Sequence, residues 1–319
     1  MTSHSHSLGA SRYLTLADGR RLHYMWKGSG EPTVVFESGM GASRSAWGLV
    51  QPMAAPDART VVYDRAGLGR SDPDASPRTL ARMAQDLSEL LTALGPGPYI
   101  LVGHSWGGPI VRTVAAMDKS RIRGLVLVDP SDEHCALYFS RLARTNFAVM
   151  RGLLPPMARF GLYRRMGSKE GRVLPADVYK DHCAEDFTLA AARAVANESR
   201  VFVHELTRLR VQPPELQGLE VTVISGTEIA KADRRIRPAL IAAHKRTVDS
   251  LDRARWVPAP NSGHMVLYSE PRLIVDEIAR LASPSPPLVA ATGADERLAR
   301  KDEGQIVEGC NVEGRNIED

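Results

Sequence analysis

Short, continuously apolar runs limit the folds open to this chain more than any other feature. Four of them occur in the first half of the sequence: Thr33–Phe36, Thr60–Tyr63, Tyr99–Val102 and Leu125–Val128. Each run lacks polar alternation, which is typical of strands buried on both faces. Between the second and third runs, apolar residues from Leu80 to Leu94 recur at helical spacing, and Gly95 ends the pattern. The alternation predicts an α/β fold with a mostly parallel sheet flanked by helices.

The strand pattern stops near residue 131 and resumes only much later in the chain. Residues 132–210 are rich in Arg and Leu, have helical character and contain no convincing strand. Strand-like patterns return at 219–226 and 254–260, each followed by a helix-like segment. We therefore predict one core built from residues 12–131 and 211–282, with residues 132–210 inserted into it as a helical cap.

The two ends of the chain differ from this core in composition. Residues 1–11 are rich in Ser and His, and we predict that they are disordered. Residues 13–28 contain two β-rich runs around Asp18-Gly19, a favoured hairpin turn. Residues 283–319 begin with SPSPP and continue as a charged segment without periodicity, which predicts a disordered acidic tail. The tail carries eight acids and four bases, a net charge of −4, so the rest of the +4 chain carries +8.

Composition and targeting signals narrow the class of protein. With 319 residues, 43% hydrophobic and 24% charged, the chain is long enough to bury a large core. No apolar run approaches the roughly 18 residues of a membrane span, and the N-terminus lacks the pattern of a secretory signal. Cys135, Cys183 and Cys310 are too few and too scattered for a disulfide framework, which favours the cytoplasm. The basic residues are dispersed and accompany no nucleic-acid motif, so we expect no nucleic-acid partner.

The clearest chemical motif is Gly103-His104-Ser105-Trp106-Gly107, a G-x-S-x-G sequence. It follows a predicted strand directly and precedes a helix-like segment, which is the setting that the motif requires. In such a turn Ser105 has a strained backbone and projects its hydroxyl above the edge of the sheet. Small residues at 103 and 107 allow the chain to pack that closely. We interpret Ser105 as a nucleophile rather than as part of an ordinary glycine turn.

At these residues the chain resembles the α/β-hydrolase family, and the resemblance extends over residues 12–282. Three further landmarks have the family's order and spacing: Glu37-Ser38-Gly39-Met40-Gly41, the loop Asp64–Asp72, and Asn261-Ser262-Gly263-His264. The first matches the family's oxyanion loop, although Ser38-Gly39 replaces the usual His-Gly. The second is similar to the D-x-x-G-x-G-x-S loop, and the third to the loop that bears the catalytic base.

The resemblance implies a role for each of these landmarks. His264 becomes the base that accepts the proton of Ser105, because imidazole exchanges protons near neutral pH. The backbone N–H groups of Met40 and Trp106 become the donors that hold the oxyanion of a tetrahedral intermediate. The family pattern also suggests residues that line the substrate pocket, namely Gly39, Trp47 and Trp106.

The acid that should support His264 is not where the family most often has it. The usual position, three residues after Gly226, is Ile229, which cannot ionise. Asp129 ends a predicted strand, at a position that some relatives use, while Glu228 and Asp233 lie in the later loop. We prefer Asp129, because a carboxylate at a strand end is better positioned than one in a loop. Glu228 and Asp233 remain alternatives, and an Asp-Pro pair after a strand also forms ordinary turns.

Other motifs give weaker signals. The glycines of the Asp64–Asp72 loop suggest a phosphate cradle, but the loop has no Walker lysine, so we expect a structural turn in which Asp64 and Arg65 pair charges. His134-Cys135 and His182-Cys183 lack the spacing of a zinc site. We therefore expect neither a metal nor a cofactor. The predicted cap interleaves apolar residues with arginines, which fits amphipathic helices, a lid over an acyl pocket or a membrane-facing surface, in that order.

These features predict a serine hydrolase that cleaves a small, mostly apolar carboxylic ester through an acyl-enzyme. An aminopeptidase would need acids for the substrate's ammonium group, for which Glu185-Asp186 is a thin candidate. A perhydrolase or lyase on the same scaffold is a further possibility. By the resemblance, an epoxide hydrolase or haloalkane dehalogenase would have Asp at position 105. The competing class is a ligand-binding or signalling module that lacks turnover, and the sequence leaves the oligomeric state open.

Overall fold

Eight strands form one mostly parallel sheet in the computed structural model, which describes residues 5–231 and 233–283. Their order across the sheet is β1-β2-β4-β3-β5-β6-β7-β8. The strands β1 and β2 are antiparallel to their neighbours, and all pairs from β4 to β8 are parallel. The strands are β1 Ala10–Thr15, β2 Arg21–Lys27, β3 Thr33–Glu37, β4 Arg59–Tyr63, β5 Tyr99–His104, β6 Ile122–Val128, β7 Glu220–Gly226 and β8 Ala254–Ala259.

Helices cover both faces of this sheet, as the continuously apolar runs predicted. Within the described residues they are α1 Val50–Ala54, α2 Leu80–Leu94, α3 Gly107–Met117, α4 Arg141–Arg159, α5 Leu162–Gly167, α6 Ala176–Glu185, α7 Leu189–Val211, α8 Ile236–Asp249, α9 Val266–Ser269 and α10 Pro271–Ala282. The helices α2, α3 and α7 share one apolar core with the sheet, while α1 and α10 share the other. Every residue of β3 and β5 is buried. The predicted α/β fold is confirmed.

A helical segment, residues 136–211, is inserted between β6 and β7. It contains α4 to α7 and two short 3₁₀ turns, and none of these residues belongs to a strand. Residues up to Ser283 cluster as one compact unit, so this insertion is not a separate globule. Its helix α7 buries Phe202, Leu206 and Leu209 in the core shared with α2 and α3. The boundaries of a cap at 132 and 210 stay a prediction.

The N-terminal segment is more ordered than its composition suggested. Ala10 and Ser11 already belong to β1, and the side chain of Leu8 is fully buried. The backbone N and Oγ of Ser7 donate to the carboxylate of Asp177 on α6, at 2.6 and 2.8 Å. One buried leucine and this polar anchor hold residues 7–11, which corrects the expectation of disorder there.

The predicted acidic tail at the other end, residues 283–319, lies outside the described residues except for Ser283. Within 5–231 and 233–283, no helix combines the length and the apolar character needed to cross a bilayer.

Candidate active site

The turn between β5 and α3 places Ser105 at the carboxyl end of a central strand. Ser105 has a φ of 52°, in the left-handed region that residues with a Cβ seldom adopt. A Cβ on Gly103 would lie 2.6 Å from the carbonyl oxygen of Gly107, and a Cβ on Gly107 would lie 2.9 Å from that of Ser38. The backbones therefore approach too closely for any side chain at these two positions. This is the strained turn that the G-x-S-x-G motif predicted.

The turn after β6 is the second strained point, and it lies beside the first because β5 and β6 are neighbours. Asp129 has a φ of 40° and is fully buried. Its Oδ1 accepts from Nη1 of Arg237 at 2.6 Å and from the backbone N of Gly226 at 3.1 Å. Its Oδ2 lies 2.6 Å from Nδ1 of His264. Burial raises the pKa of the Asp129 carboxyl, but the hydrogen bonds to His264 and Arg237, together with the electrostatic effect of the His264 and His244 rings, outweigh burial and bring it to about 2.

His264 follows β8 on a loop that packs against the end of β7. A Cβ on Gly226 would collide with the carbonyl oxygen of Gly263, so this close approach requires glycine at 226. With Nδ1 bonded to a carboxylate, the neutral ring carries its proton on Nδ1 and its lone pair on Nε2. Nε2 has no hydrogen-bond partner among the described residues, and the side chain is 43% exposed. The ring is therefore in the tautomer that a general base needs.

Neither alternative acid contacts His264. Glu228 is exposed, and its backbone N donates to the carbonyl of Ser262 at 2.9 Å. Asp233 is half-buried at the start of the turn that leads into α8, where its carbonyl accepts from the backbone N of Arg237. Neither carboxylate has a hydrogen bond or ion pair within the described ranges. Asp129 is thus the carboxylate that the structure brings to the candidate base.

His104, which the motif treats as variable, is a second imidazole in the site. Its ring lies 4.7 Å from that of His264, and its Nε2 is 3.0 Å from the carbonyl oxygen of His264. Burial lowers the pKa of His104 to about 3, so the ring is neutral and donates its Nε2–H to that carbonyl. His104 therefore ties the loop of the base to the turn of the nucleophile. Sequence reasoning did not assign it a role.

The structure places Ser105 next to residues 37–41, the predicted oxyanion loop. A Cβ added to Gly39 would lie 3.2 Å from Cβ of Ser105 and 3.1 Å from Nδ1 of His104. The backbone N–H groups of Met40 and Trp106 donate no hydrogen bond to any described residue. The second of these groups is at the N-terminus of α3, where the helix dipole favours negative charge. Ser105 Oγ and His264 are not hydrogen-bonded to each other, and such bonds are often long in ligand-free enzymes.

A buried arginine, Arg65, lies behind the oxyanion loop. Its Nη1 donates to the carbonyl of Ser38 at 2.6 Å, and its Nη2 donates to the carbonyl of Gly39 at 2.7 Å. The same guanidinium pairs with Glu37 and with Glu198 of α7. Neighbouring Asp64 pairs with Arg44 and His23, which are also distant in the sequence. The predicted charge pairing of Asp64 with Arg65 is therefore wrong, because each of the two binds other partners.

An aromatic cluster from the insertion covers the side chain of Trp106. The ring of Phe202 on α7 lies 4.9 Å from Trp106, and Tyr138 and Phe147 pack on Phe202 at 5.3 and 5.0 Å. Trp106 is fully buried. Trp47 is also fully buried, but it packs on Phe36 in the core shared with α1 and α10. A role for Trp47, Trp106 or Gly39 in a substrate pocket stays a prediction.

The acids proposed for an aminopeptidase are already paired. Glu185 binds Arg44 and Arg70, and Asp186 binds His182 and Ser45. Their charges are therefore occupied within the protein. The part of the chain that the structure describes contains no group of His, Cys, Asp and Glu arranged to hold a metal ion.

Comparison with known proteins identifies the family. The model of the "Alpha/beta hydrolase family" matches residues 34–277, which is most of the chain. The chain therefore belongs to the alpha/beta hydrolase family.

Individual relatives are more distant. The chain is 29% identical to an "AB hydrolase superfamily protein" of Gibberella zeae, over 79% of this chain and 86% of that one. It is 28% identical to the "probable transporter efuK" of Hormonema carpetanum, where the match covers 87% of this chain but only 43% of the relative. A solved esterase from Exiguobacterium antarcticum has the same fold, with a TM-score of 0.67 and 16% identity over 86% of this chain and all of that one.

Proposed function

We propose that the protein is a serine hydrolase that cleaves small, mostly apolar carboxylic esters through an acyl-enzyme. The observation that carries this proposal is the 2.6 Å hydrogen bond between Asp129 and Nδ1 of His264, beside the strained turn of Ser105. It leaves the lone pair of His264 on Nε2, whereas burial lowers the pKa of the second imidazole, His104, to about 3. The family is fixed by the comparisons, whereas this reaction is our inference.

The residues account for both halves of an ester hydrolysis. Ser105 Oγ attacks the ester carbonyl while its proton moves to Nε2 of His264, and the carbonyl electron pair becomes an oxyanion held by the N–H groups of Met40 and Trp106. His264 then gives the proton to the departing alkoxide, which leaves an acyl group on Ser105. Water attacks the acyl carbonyl with His264 again as base, and the acid and free Ser105 are released. Asp129 stabilises the imidazolium in each step.

Two observations support an apolar ester over the alternatives. Near the nucleophile, the half-buried rings of Tyr138 and Phe147 pack on Phe202, which covers the buried Trp106, and we propose that these two outer rings contact an apolar acyl or alcohol group. Glu185 is paired with Arg44 and Arg70, and Asp186 is bonded to His182 and Ser45, so this pair is a poor receptor for an ammonium group. The binding-module alternative rested on the irregular position of the acid, and the bond between Asp129 and His264 supports an acid at that position.

A labelling and turnover experiment tests the proposal. Wild-type protein should react with a fluorophosphonate at Ser105 and hydrolyse nitrophenyl esters from acetate to palmitate, with little activity on amino-acid arylamides. Ser105→Ala should abolish labelling and turnover. The matched variant Ser120→Ala, at an exposed serine before β6, should retain both. A folded wild-type protein that neither reacts with the probe nor hydrolyses any ester would support the binding module instead.

A further inference from the structure

Each predicted oxyanion donor belongs to a peptide unit whose carbonyl is held from the opposite side. The N–H of Met40 shares a planar unit with the carbonyl of Gly39, and the N–H of Trp106 shares one with the carbonyl of Ser105. In a trans peptide the C=O and N–H point in opposite directions. A group that fixes the carbonyl oxygen therefore also fixes the direction of the N–H.

The two carbonyls are held by different means. The carbonyl of Ser105 accepts two backbone N–H groups, from Gly108 at 3.0 Å and from Ser131 at 2.9 Å. The carbonyl of Gly39 accepts a longer backbone bond, from Ala42 at 3.2 Å, and a charged bond of 2.7 Å from Arg65. Hydrogen bonds from a charged donor are shorter and roughly twice as strong as neutral ones. Arg65 thus provides the dominant restraint on the peptide that carries the Met40 donor.

Arg65 is itself immobilised by the insertion. Its Nε and Nη2 bind the two carboxylate oxygens of Glu198 at 2.9 and 2.8 Å, in a bidentate pair. The side chain of Glu198 is fully buried on α7, and that of Arg65 is 2% exposed. The guanidinium plane therefore has its orientation set by a helix that lies outside the core strands. The remaining nitrogen, Nη1, reaches the carbonyl of Ser38 and the carboxylate of Glu37.

We infer that Arg65 is a positioning residue that aims the Met40 N–H at the oxyanion, and that Glu198 makes this aim depend on helix α7. The inference rests on the proposed function, because it assigns a role within the proposed oxyanion hole. The positive charge also polarises the Gly39–Met40 peptide, which strengthens the donor at the moment negative charge develops. Arg65 touches neither the substrate nor the reacting atoms in this account.

Lysine cannot replace arginine in this position. The guanidinium fork makes bonds in several fixed directions at once, to the Ser38 and Gly39 carbonyls and to both oxygens of Glu198. A lysine ammonium is a compact point charge with no planar fork. Arg65→Lys therefore retains the charge in the network but loses the simultaneous hold on the peptide and on α7.

The experiment compares Arg65→Lys and Glu198→Gln with a matched control, Arg20→Lys. Arg20, in the hairpin of β1 and β2, forms a bidentate pair with the buried carboxylate of Asp86 on α2. This pair lies away from the site. Each protein is assayed for kcat and KM on one nitrophenyl ester. Each is also titrated with a trifluoromethyl ketone and with the matching methyl ketone. Ser105 Oγ adds to the fluorinated carbonyl, its proton goes to His264 and the electron pair forms an oxyanion, whereas the methyl ketone only occupies the pocket.

We expect the Arg65 and Glu198 variants to lose kcat and trifluoromethyl-ketone affinity, because an oxyanion forms in both cases, and to keep their KM and methyl-ketone affinity. Removing an oxyanion donor costs about 100- to 1,000-fold in kcat, so misaligning one by Arg65→Lys should cost about 10- to 100-fold. Affinity for the trifluoromethyl ketone should fall by the same factor, with KM and methyl-ketone affinity within about threefold of wild type. Glu198→Gln should show the same pattern at about 3- to 10-fold, and Arg20→Lys should leave kcat unchanged.

Three outcomes would overturn the inference. The first is an Arg65→Lys protein with wild-type kcat, and the second is an equal loss of methyl-ketone affinity, which would indicate a general defect of the pocket. The third is a loss of the same size in Arg20→Lys. If Arg65→Lys does not fold, Glu198→Gln decides by the same parallel between kcat and trifluoromethyl-ketone affinity. Failure of the proposed function is a separate result, because the wild-type protein would then neither hydrolyse esters nor bind the trifluoromethyl ketone more tightly than the methyl ketone.

Discussion

The turns after β5 and after β6 are neighbours with the same unusual backbone, yet they are built differently. Ser105 in the first has a φ of 52° and Asp129 in the second has a φ of 40°, and neither is glycine. The first turn is shaped by close backbone contact, because Gly103 and Gly107 leave no room for side chains. The second is shaped by charge, because the carboxylate of Asp129 binds Arg237 and His264.

This difference explains why one turn could be identified from sequence and the other only in part. The contacts that force Ser105 into its conformation involve glycines two residues away. A short sequence motif is therefore enough to predict this turn. The partners of Asp129 lie about 100 residues or more along the chain, at Gly226, Arg237 and His264. A strained turn made by packing leaves a local pattern, whereas one made by ion pairing depends on residues that only the fold brings together.

The largest expected effect comes from removing the charge in the second turn. Asp129→Asn should lower kcat about 10,000-fold on a nitrophenyl ester, because the amide no longer fixes the base tautomer or stabilises the imidazolium. Glu228→Gln is the matched control, since Glu228 is exposed and does not contact His264. It should retain kcat within about twofold. Steady-state kinetics of the two variants would contradict the assignment if Glu228→Gln were the impaired enzyme.

The next effect tests the packing that shapes the first turn. A Cβ at Gly107 would meet the carbonyl oxygens of Glu37 and Ser38, so Gly107→Ala should lower the free energy of unfolding by about 3 kcal/mol. Gly152→Ala is the matched control in helix α4, where an added Cβ would meet nothing within 4 Å. That change should stabilise by up to about 1 kcal/mol, because alanine is the better helix former. Urea unfolding of both variants measures the contrast, and equal effects would refute the role of close packing.

The smallest effect concerns His104, which connects the turn of Ser105 to the loop of His264. Its folded pKa of about 3 lies below the ordinary imidazole value, so the unfolded chain binds the proton first as the pH falls. Stability that is fully present above about pH 6.5 is therefore lost progressively down to about pH 3. Between pH 6 and 4 the loss from this one group should be about 1 kcal/mol per pH unit.

His104→Gln isolates that contribution, since the amide offers a donor but does not titrate. The difference in unfolding free energy between wild type and His104→Gln should shrink, or change sign, as the pH falls from 6 to 4. Urea unfolding at each pH measures it, and the other titrating groups cancel in the comparison. Parallel curves for the two proteins would show that His104 is not a buried neutral imidazole.

Sequence reasoning predicted the sheet correctly, because local patterns of apolar residues indicate buried strands. Runs such as Tyr99–Val102 predict buried strands, and the neighbourhoods of Ser105 and His264 predict their turns. It did not find Arg237, Glu198 or the role of His104, since an arginine or glutamate in a helix carries no signal of the partner it will meet. It also predicted disorder where Leu8 is buried, because a single apolar residue in a Ser- and His-rich segment gives no periodicity.

One measurement tests most directly whether the turns of Ser105 and Asp129 belong to one catalytic site. It is rapid mixing with nitrophenyl acetate, followed by acid quenching and peptide mapping. The account predicts an acetyl group on Ser105 within the first turnovers, and a strongly slowed appearance of that group in Asp129→Asn. An acetyl group on another residue, or ester hydrolysis with Ser105 never acylated, would contradict it.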